Sequence, residues 1–211
     1  MPKTTRIILA LTTALALTAS TTATATATTI GWMVGGSLLT GSTPLATTAA
    51  VDENFKLKNG NINIECTGPT VNGVAVEIIA PNKVAAKSIE FTECKPTEGK
   101  CAIESSTIGT VPVLAESTLE GALAAVGVFK PEIGKAFTNL TFLGTTCALE
   151  GTQPVTGTQA VLDPTGQDEK TLQLGNAITL KEGELKVGAG NATLTGSSLA
   201  KLASGAPWSF L

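Results

Sequence analysis

The stretch Ser88-Ile-Glu-Phe-Thr-Glu-Cys94-Lys-Pro-Thr-Glu-Gly-Lys-Cys101-Ala-Ile-Glu104 sets two β-type runs on either side of a polar turn, with a cysteine at each end of the turn. Cys66 and Cys147 lie at the ends of similar runs on the two sides. Short runs of this kind, cut by Gly, Pro and Asn, read as strands, and cysteines at their ends can tie strands distant in the chain. The expected fold is all-β: an antiparallel β-sandwich or barrel-like pair of sheets stapled by two disulfides.

Composition narrows the core and the chemistry. Hydrophobic content is 43% but aromatics are only 4%, so the core rests on Val, Ile, Leu and Ala. Lys3 and Arg6 form a positive start, Ile7 to Leu17 is a short apolar run, and Ala23-Thr-Ala25-Thr-Ala27 offers small-x-small cleavage sites. Residues 1–27 therefore read as a signal peptide and 28–211 as a single secreted β domain. The apolar run is too short to span a bilayer comfortably, so no stable membrane span is expected after cleavage. Without Lys3 and Arg6 the chain has 12 Lys against 17 acidic residues, a charge of −5, and no Arg, His or Tyr. A mildly acidic chain without Arg lacks the basic face that nucleic acid requires, so no nucleic-acid partner is expected. The missing His removes the usual proton shuttle and the commonest metal ligand.

Several elements are readable along the chain. Two short strands around Gly35-Gly36 place Trp32 and Val34 on one face. Phe55-Lys-Leu-Lys, Asn59-Gly60 and Asn61-Ile-Asn-Ile-Glu-Cys66 form a hairpin signal, with Ile62, Ile64 and Cys66 pointing one way. Val74–Ile79 and Lys83–Phe91 read as strands, the latter bulging or ending before Cys94. Thr107–Leu114 reads as a strand with Pro112 near an edge or end. In Glu116–Val128, Ser117-Thr-Leu-Glu120 fits a helix capping box, while Gly121 and Gly127 oppose a helix; strands are favoured. Ala136–Leu143, Thr146–Glu150 and Val155–Leu162 follow as strands. The Gly-punctuated tail after residue 170 has meander spacing, and Ala206–Leu211 closes the chain with a last strand.

Four cysteines in an exported chain read as two disulfides. The loop between Cys94 and Cys101 can fold back, which favours Cys94–Cys101 and leaves Cys66–Cys147 to join distant strands. A zinc site is disfavoured because there is no Cys-x-x-Cys pair and no His. No metal site and no cofactor are expected.

Catalytic constellations are weakly represented. A His-based triad is excluded by composition. A Ser/Lys arrangement stays open on composition, without a Gly-x-Ser-x-Gly context to support it. Glu65, Glu77, Glu90 and Glu93 are candidates for paired-carboxylate chemistry, although Glu on alternating β runs usually faces solvent. Asp163, Asp168 and Glu169 share a polar loop that does not follow the EF-hand calcium pattern. Trp32 and Trp208 lie near opposite ends of the mature chain and are expected to meet in core packing or end-strand closure. No residue is assigned a catalytic role, and the chain is not expected to be an enzyme.

The order of landmarks adds a resemblance. Trp32-Met-Val34-Gly-Gly36-Ser-Leu-Leu39, Phe55-Lys-Leu57, Ile64-Glu-Cys66, Phe91-Thr-Glu-Cys94, Cys101, Leu119-Glu-Gly121-Ala-Leu123, Phe129-Lys-Pro131, Cys147 and Val155-Thr-Gly157 follow one another along nearly the whole mature chain. In this it resembles a family of secreted all-β proteins of soil actinobacteria, of the Solirubrobacter/Thermoleophilia type. The resemblance implies export and an all-β fold; the family has no known activity, so it implies no functional residues. The long Ala/Thr tract before Trp32 departs from its pattern.

The expected role is thus a non-catalytic exported surface or extracellular module that binds an envelope component, a polysaccharide or a protein. The alternatives are a carboxylate-based glycan hydrolase, marked by two acidic groups converging in an apolar cleft, and a structural coat or matrix protein, marked by a flat exposed edge or a large apolar patch.

Overall fold

The computed structural model describes residues 30–41, 45–60, 62–69, 76–98, 100–120, 124–163, 176–181 and 183–210. The expected signal peptide falls outside them. Among the described residues every helix or strand element is a β-strand, and every strand pairing is antiparallel.

β1 (Trp32–Val34) and β2 (Ser37–Leu38) form the expected hairpin. Gly35 and Gly36 take φ of 56° and 83°, a left-handed pair that glycine adopts without strain. β3 (Leu45–Asn59) and β4 (Ile62–Cys66) form the second expected hairpin, in register from Asn59↔Ile62 to Phe55↔Cys66. The Asn59↔Ile62 pairing sets the turn one position later than the Asn-Gly signal. Ile62, Ile64 and Cys66 are buried, as their alternation requires.

β5 (Gly68–Pro69) and β6 (Val76–Ile79) come next. The Lys83–Phe91 run is not one strand: β7 (Lys83–Ala86) and β8 (Glu90–Thr92) belong to different sheets. β9 (Lys95–Glu98) and β10 (Ala102–Ile103) flank Cys101. The Thr107–Leu114 run splits into β11 (Ile108–Gly109) and β12 (Val113–Glu120), with Pro112 in the gap. β12 and β13 (Ala124–Pro131) form a hairpin over the segment that carried the capping-box signal, so the strand reading holds. β14 (Ala136–Leu143) is a strand, whereas Thr146–Glu150 is turn, contrary to expectation. The Val155–Leu162 run also divides, between β15 (Gly151–Thr156) and β16 (Gln159–Asp163). The chain ends with β17 (Asn176–Lys181), β18 (Leu185–Val187), β19 (Gly190–Leu202) and β20 (Trp208–Phe210).

Two long strands organise the architecture. β3 and β19 pair from Asn59↔Ala192 to Thr47↔Leu202. Their pairing closes the sequence β3–β19–β17–β16–β13–β12–β7–β6 into a ring, because β6 returns to β3. The expected barrel-like form is therefore realised as a closed ring, which leaves none of those strands with two free edges. Beyond Glu53 the other end of β3 pairs with β4, which pairs in turn with β9, and the start of β19 leads through β18 and β15 to β14 and β10. Two small sheets complete the fold: β2–β1–β20 and β11–β8–β5.

Two core clusters follow from this layout. One gathers Phe55, Ile64, Phe137, Leu140, Phe142 and Val187 with all four cysteines. The other gathers Trp32, Trp208 and Phe210 with Ile78, Val84, Ala115, Ala125, Ala200 and Leu202 of the ring strands. Phe129 and Val76 pack against both.

The cystines are Cys66–Cys94 and Cys101–Cys147, not Cys94–Cys101 and Cys66–Cys147. Register explains the correction. β4 and β9 pair Glu65 with Lys95, which sets Cys94 opposite Cys66 at a Cα separation of 4.0 Å. The segment between Cys94 and Cys101 does not fold back; its first four residues are extended β9, and about 13 Å of strand is more than a cystine can bridge. Cys101 precedes β10, whose Ala102 pairs Leu143. The turn after Leu143, in which Cys147 N–H donates to Gly144 O at 2.8 Å, brings Cys147 back to Cys101. That return is why Thr146–Glu150 cannot be strand.

Candidate functional site

One row of the ring leads to the site. Across five adjacent strands the register aligns Ile78, Val84, Ala115, Phe129 and Gln159. Side chains of one row share a face, here the interior. The neighbouring row contains Ser117, Gly127 and Val161. Ala115, Ser117, Ala125 and Gly127 are small, so β12 and β13 leave interior space that large residues would fill.

Part of that space is taken by aromatic rings. Trp32 and Trp208 stand 5.7 Å apart between ring centroids, and Trp32 and Phe210 stand 4.9 Å apart edge to face. The expectation that the two tryptophans meet holds. Their small sheet is anchored at the β6–β7 turn: Trp32 N–H donates to Pro81 O at 2.9 Å, and its indole Nε1–H donates to Lys83 O at 3.1 Å. A Cβ at Gly31 would lie 2.7 Å from Pro81 O, so only glycine lets the chain approach this turn so closely. The turn itself is tied to β12. Ser117 N–H donates to Asn82 O, and Asn82 Nδ2 donates back to Ser117 O.

The remaining space is a cavity of about 200 Å³ that spans both core clusters. Trp32, Trp208, Ile78 and Val84 bound it on one side; Phe55, Ile64, Phe137 and Leu185 bound it on the other; Phe129 lies on its wall. Thr110, Thr138, Gln159 and Ser198 add the polar side chains. Thr110 Oγ1 already accepts the Ile89 N–H at 2.9 Å. No Asp, Glu or Lys is among the described wall residues.

The acidic candidates lie elsewhere. Glu65 accepts a bond from Asn54 Nδ2 at 2.8 Å, and Glu93 accepts one from Thr67 Oγ1 at 2.6 Å. Glu90 is exposed on β8, and Glu77 is half-buried on β6. The structure brings none of the four to the cavity. Glu116 and Glu120 pair with Lys83 and Lys181 at exposed positions. Asp163 ends β16, while Asp168 and Glu169 lie outside the described residues. Among the described residues no three His, Cys, Asp or Glu side chains cluster as metal ligands.

One spacing in the sequence invites a further reading that the geometry removes. Ser198-Leu-Ala-Lys201 has the Ser-x-x-Lys form of a serine nucleophile with a lysine base. That motif requires two side chains converging. On β19 the two positions have opposite parity: Ser198 lines the cavity and Lys201 is exposed to solvent.

Gln159 is the site residue that sequence reasoning passed over. It lies two positions before buried Val161 in an apolar run, which puts it on the inward parity. A glutamine at an inward position is the signal that could have marked it. No protein-family model, curated protein or solved structure matches this chain. No helix among the described residues is long and apolar enough to cross a membrane.

Proposed function

We propose that this chain is a non-catalytic exported module that binds a small, uncharged, mainly apolar molecule inside its strand ring. The observation that carries the reading is the cavity of about 200 Å³, walled by aromatic and aliphatic side chains with no ionisable group among the described wall residues. An apolar cavity of roughly 150 Å³ is large enough to take up benzene, so the space here suits a ligand somewhat larger. Concave, mostly apolar spaces with a few placed polar groups are the usual form of a small-molecule site. A glycan would need many hydrogen-bond partners, and this wall offers few. The envelope-component expectation therefore narrows to an apolar component of the envelope or its surroundings.

Export is part of the proposal. Two cystines suit an oxidising extracellular setting. The Lys3/Arg6 start, the apolar run after it and the resemblance of the landmark order to that of secreted actinobacterial proteins support this part of the reading.

The chain carries its own reporter, since its two tryptophans both line the cavity. Titration of the oxidised protein with 1-octanol, followed by tryptophan emission, is expected to give a saturable one-site change. Soluble cello- and chito-oligosaccharides are expected to give none. No response to the alcohol, together with a saturable response to a sugar, overturns the reading.

A further inference from the structure

The wall around the apolar cavity opens at one break in strand pairing. β10 pairs β14 at Ala102↔Leu143 and Ile103↔Phe142, and Glu104 N–H then donates to Thr141 O at 3.0 Å. The next backbone bond between the two segments runs from Val111 N–H to Phe137 O at 2.8 Å. Six residues, 105–110, lie between the two donors, but only three, 138–140, lie between the two acceptors. The longer segment must therefore bow away from β14. It is held there from its far side. β11 pairs β8, Cys94 N–H donates to Ser106 O, and Thr110 N–H donates to Ile89 O.

The bow leaves a pocket of about 100 Å³ between residues 103–109 and β14. Ile108, Thr138 and Leu140 border this pocket and the apolar cavity alike, so the two spaces meet there. The pocket differs in chemistry from the cavity. Glu104, Ser105, Thr107, Asn139 and Thr141 line it, and no Lys or Arg is among its described wall residues. The backbone of Asn139 adds a donor and an acceptor. In an antiparallel strand the N–H and C=O of one residue point to the same side, and the side alternates along the chain. Thr141 O faces the bow, so the N–H and C=O of Asn139 face it too. Opposite Asn139 on β15 is Pro154, which has no N–H to offer. No strand pairing or backbone bond from residues 105–110 covers the two Asn139 groups.

Resting on the cavity-binding reading above, we propose that the ligand is an uncharged single-chain amphiphile. Its tail fills the ring cavity, and a small head that both donates and accepts lies between Asn139 and the bow. The two Asn139 groups select the head. A carboxylate or sulfate accepts but cannot donate, and it would face Glu104 with no cation on the described wall. An ammonium donates but cannot accept, which leaves the Asn139 N–H unserved. An ether accepts only, which leaves the Asn139 carbonyl unserved. Vicinal hydroxyls serve both. An apolar cavity of roughly 150 Å³ takes up benzene, so two joined spaces of about 200 and 100 Å³ hold about twelve to fifteen non-hydrogen atoms. An octyl chain with a glyceryl head has that size.

The test titrates the oxidised protein, followed by tryptophan emission, with probes that share an octyl chain, each below its micellar concentration. They are 1-octanol, 1-O-octylglycerol, the 2,3-di-O-methyl ether of octylglycerol, octyl sulfate and octyltrimethylammonium. The expected dissociation constant is roughly tenfold lower for octylglycerol than for 1-octanol, with the dimethyl ether and both charged probes no tighter than 1-octanol. Asn139→Trp sets an indole in the head pocket and leaves the cavity wall as it is. There the advantage of octylglycerol over 1-octanol is expected to fall to about one, with octanol affinity unchanged. Octylglycerol binding no tighter than 1-octanol overturns the inference and leaves the cavity-binding reading standing. So does a dimethyl ether or a charged probe that equals octylglycerol. An octylglycerol advantage that survives in a folded Asn139→Trp protein overturns the placement of the head. Binding of none of the probes overturns the cavity reading and this inference with it. Should the variant not fold, the probe comparison on the unmodified protein decides alone.

Discussion

Trp32 and Trp208, 176 positions apart in the sequence, meet with ring centroids 5.7 Å apart and together wall one side of the barrel cavity. Both are 1% exposed. Their strands pair directly, with Trp32 opposite Phe210 and Val34 opposite Trp208. The two ends of the described chain thus close on each other inside the ring. Trp208→Ala is expected to destabilise the protein by about 3–5 kcal/mol, as for other buried tryptophans. Urea unfolding of the oxidised protein checks this; a loss below about 1 kcal/mol would mean that the small sheet is not integral to the core.

The cystines make a chemical prediction. Digestion without reduction is expected to yield linked peptides containing Cys66 with Cys94 and Cys101 with Cys147. Peptides linking Cys94 to Cys101 would contradict the β4–β9 register. The sequence separations are 28 and 46 residues. By chain entropy, removing each pair as a Cys→Ser double substitution is expected to cost about 3.5 and 4 kcal/mol respectively.

Gly196 is a close approach in the β3–β19 pairing. Its φ is 143°, and the register shifts across it and again between Ser197 and Ser198. A Cβ there would lie 2.9 Å from Phe55 Cδ1 and 3.0 Å from Phe55 Cα. Gly196→Ala combines unfavourable backbone with backbone contact, so a loss of about 2–3 kcal/mol is expected in thermal or urea unfolding. Gly35→Ala, with a positive φ but nothing near its Cβ, is expected to lose only about 1 kcal/mol.

Asn59 is buried, although it heads a turn signal in the sequence. Its Nδ2 lies 3.3 Å from both Val187 O and Gly190 O, and so fastens the β3–β4 hairpin to the β18–β19 turn. Asn59→Ala leaves those carbonyls without this donor, and a loss of about 1–3 kcal/mol is expected. Amide exchange is expected to rise first around residues 187–192.

How far these relationships could be read from the sequence depends on whether they are local. The Phe55–Cys66 hairpin was legible because Ile62, Ile64 and Cys66 alternate strictly, and the Trp32 hairpin because Gly35-Gly36 suits a two-residue turn. The β12–β13 hairpin was ambiguous for a physical reason: its inward residues Ala115, Ser117, Ala125 and Gly127 are small to make room for indoles, so they give little apolar alternation. The Val155–Leu162 break was hidden because it depends on Gly157 meeting Glu184, a contact made only in the folded ring. The cystine pairing was hidden likewise, since it follows from the β4–β9 register rather than from cysteine spacing. The cavity has no sequence signature at all; the same Val, Leu, Ile and Phe positions could as well line a filled core. Only Gln159, at an inward position of an apolar run, hinted at a site.

Where a ligand goes is the most direct test of binding inside the ring. Crystals of the oxidised protein soaked with 4-bromophenol, with data collected at the bromine absorption edge, would locate it without reference to affinity. An anomalous peak is expected inside the ring, in the space bounded by Trp32, Phe129 and Leu185. Bromine found only on the outer surface, with the interior side chains unmoved, would contradict it.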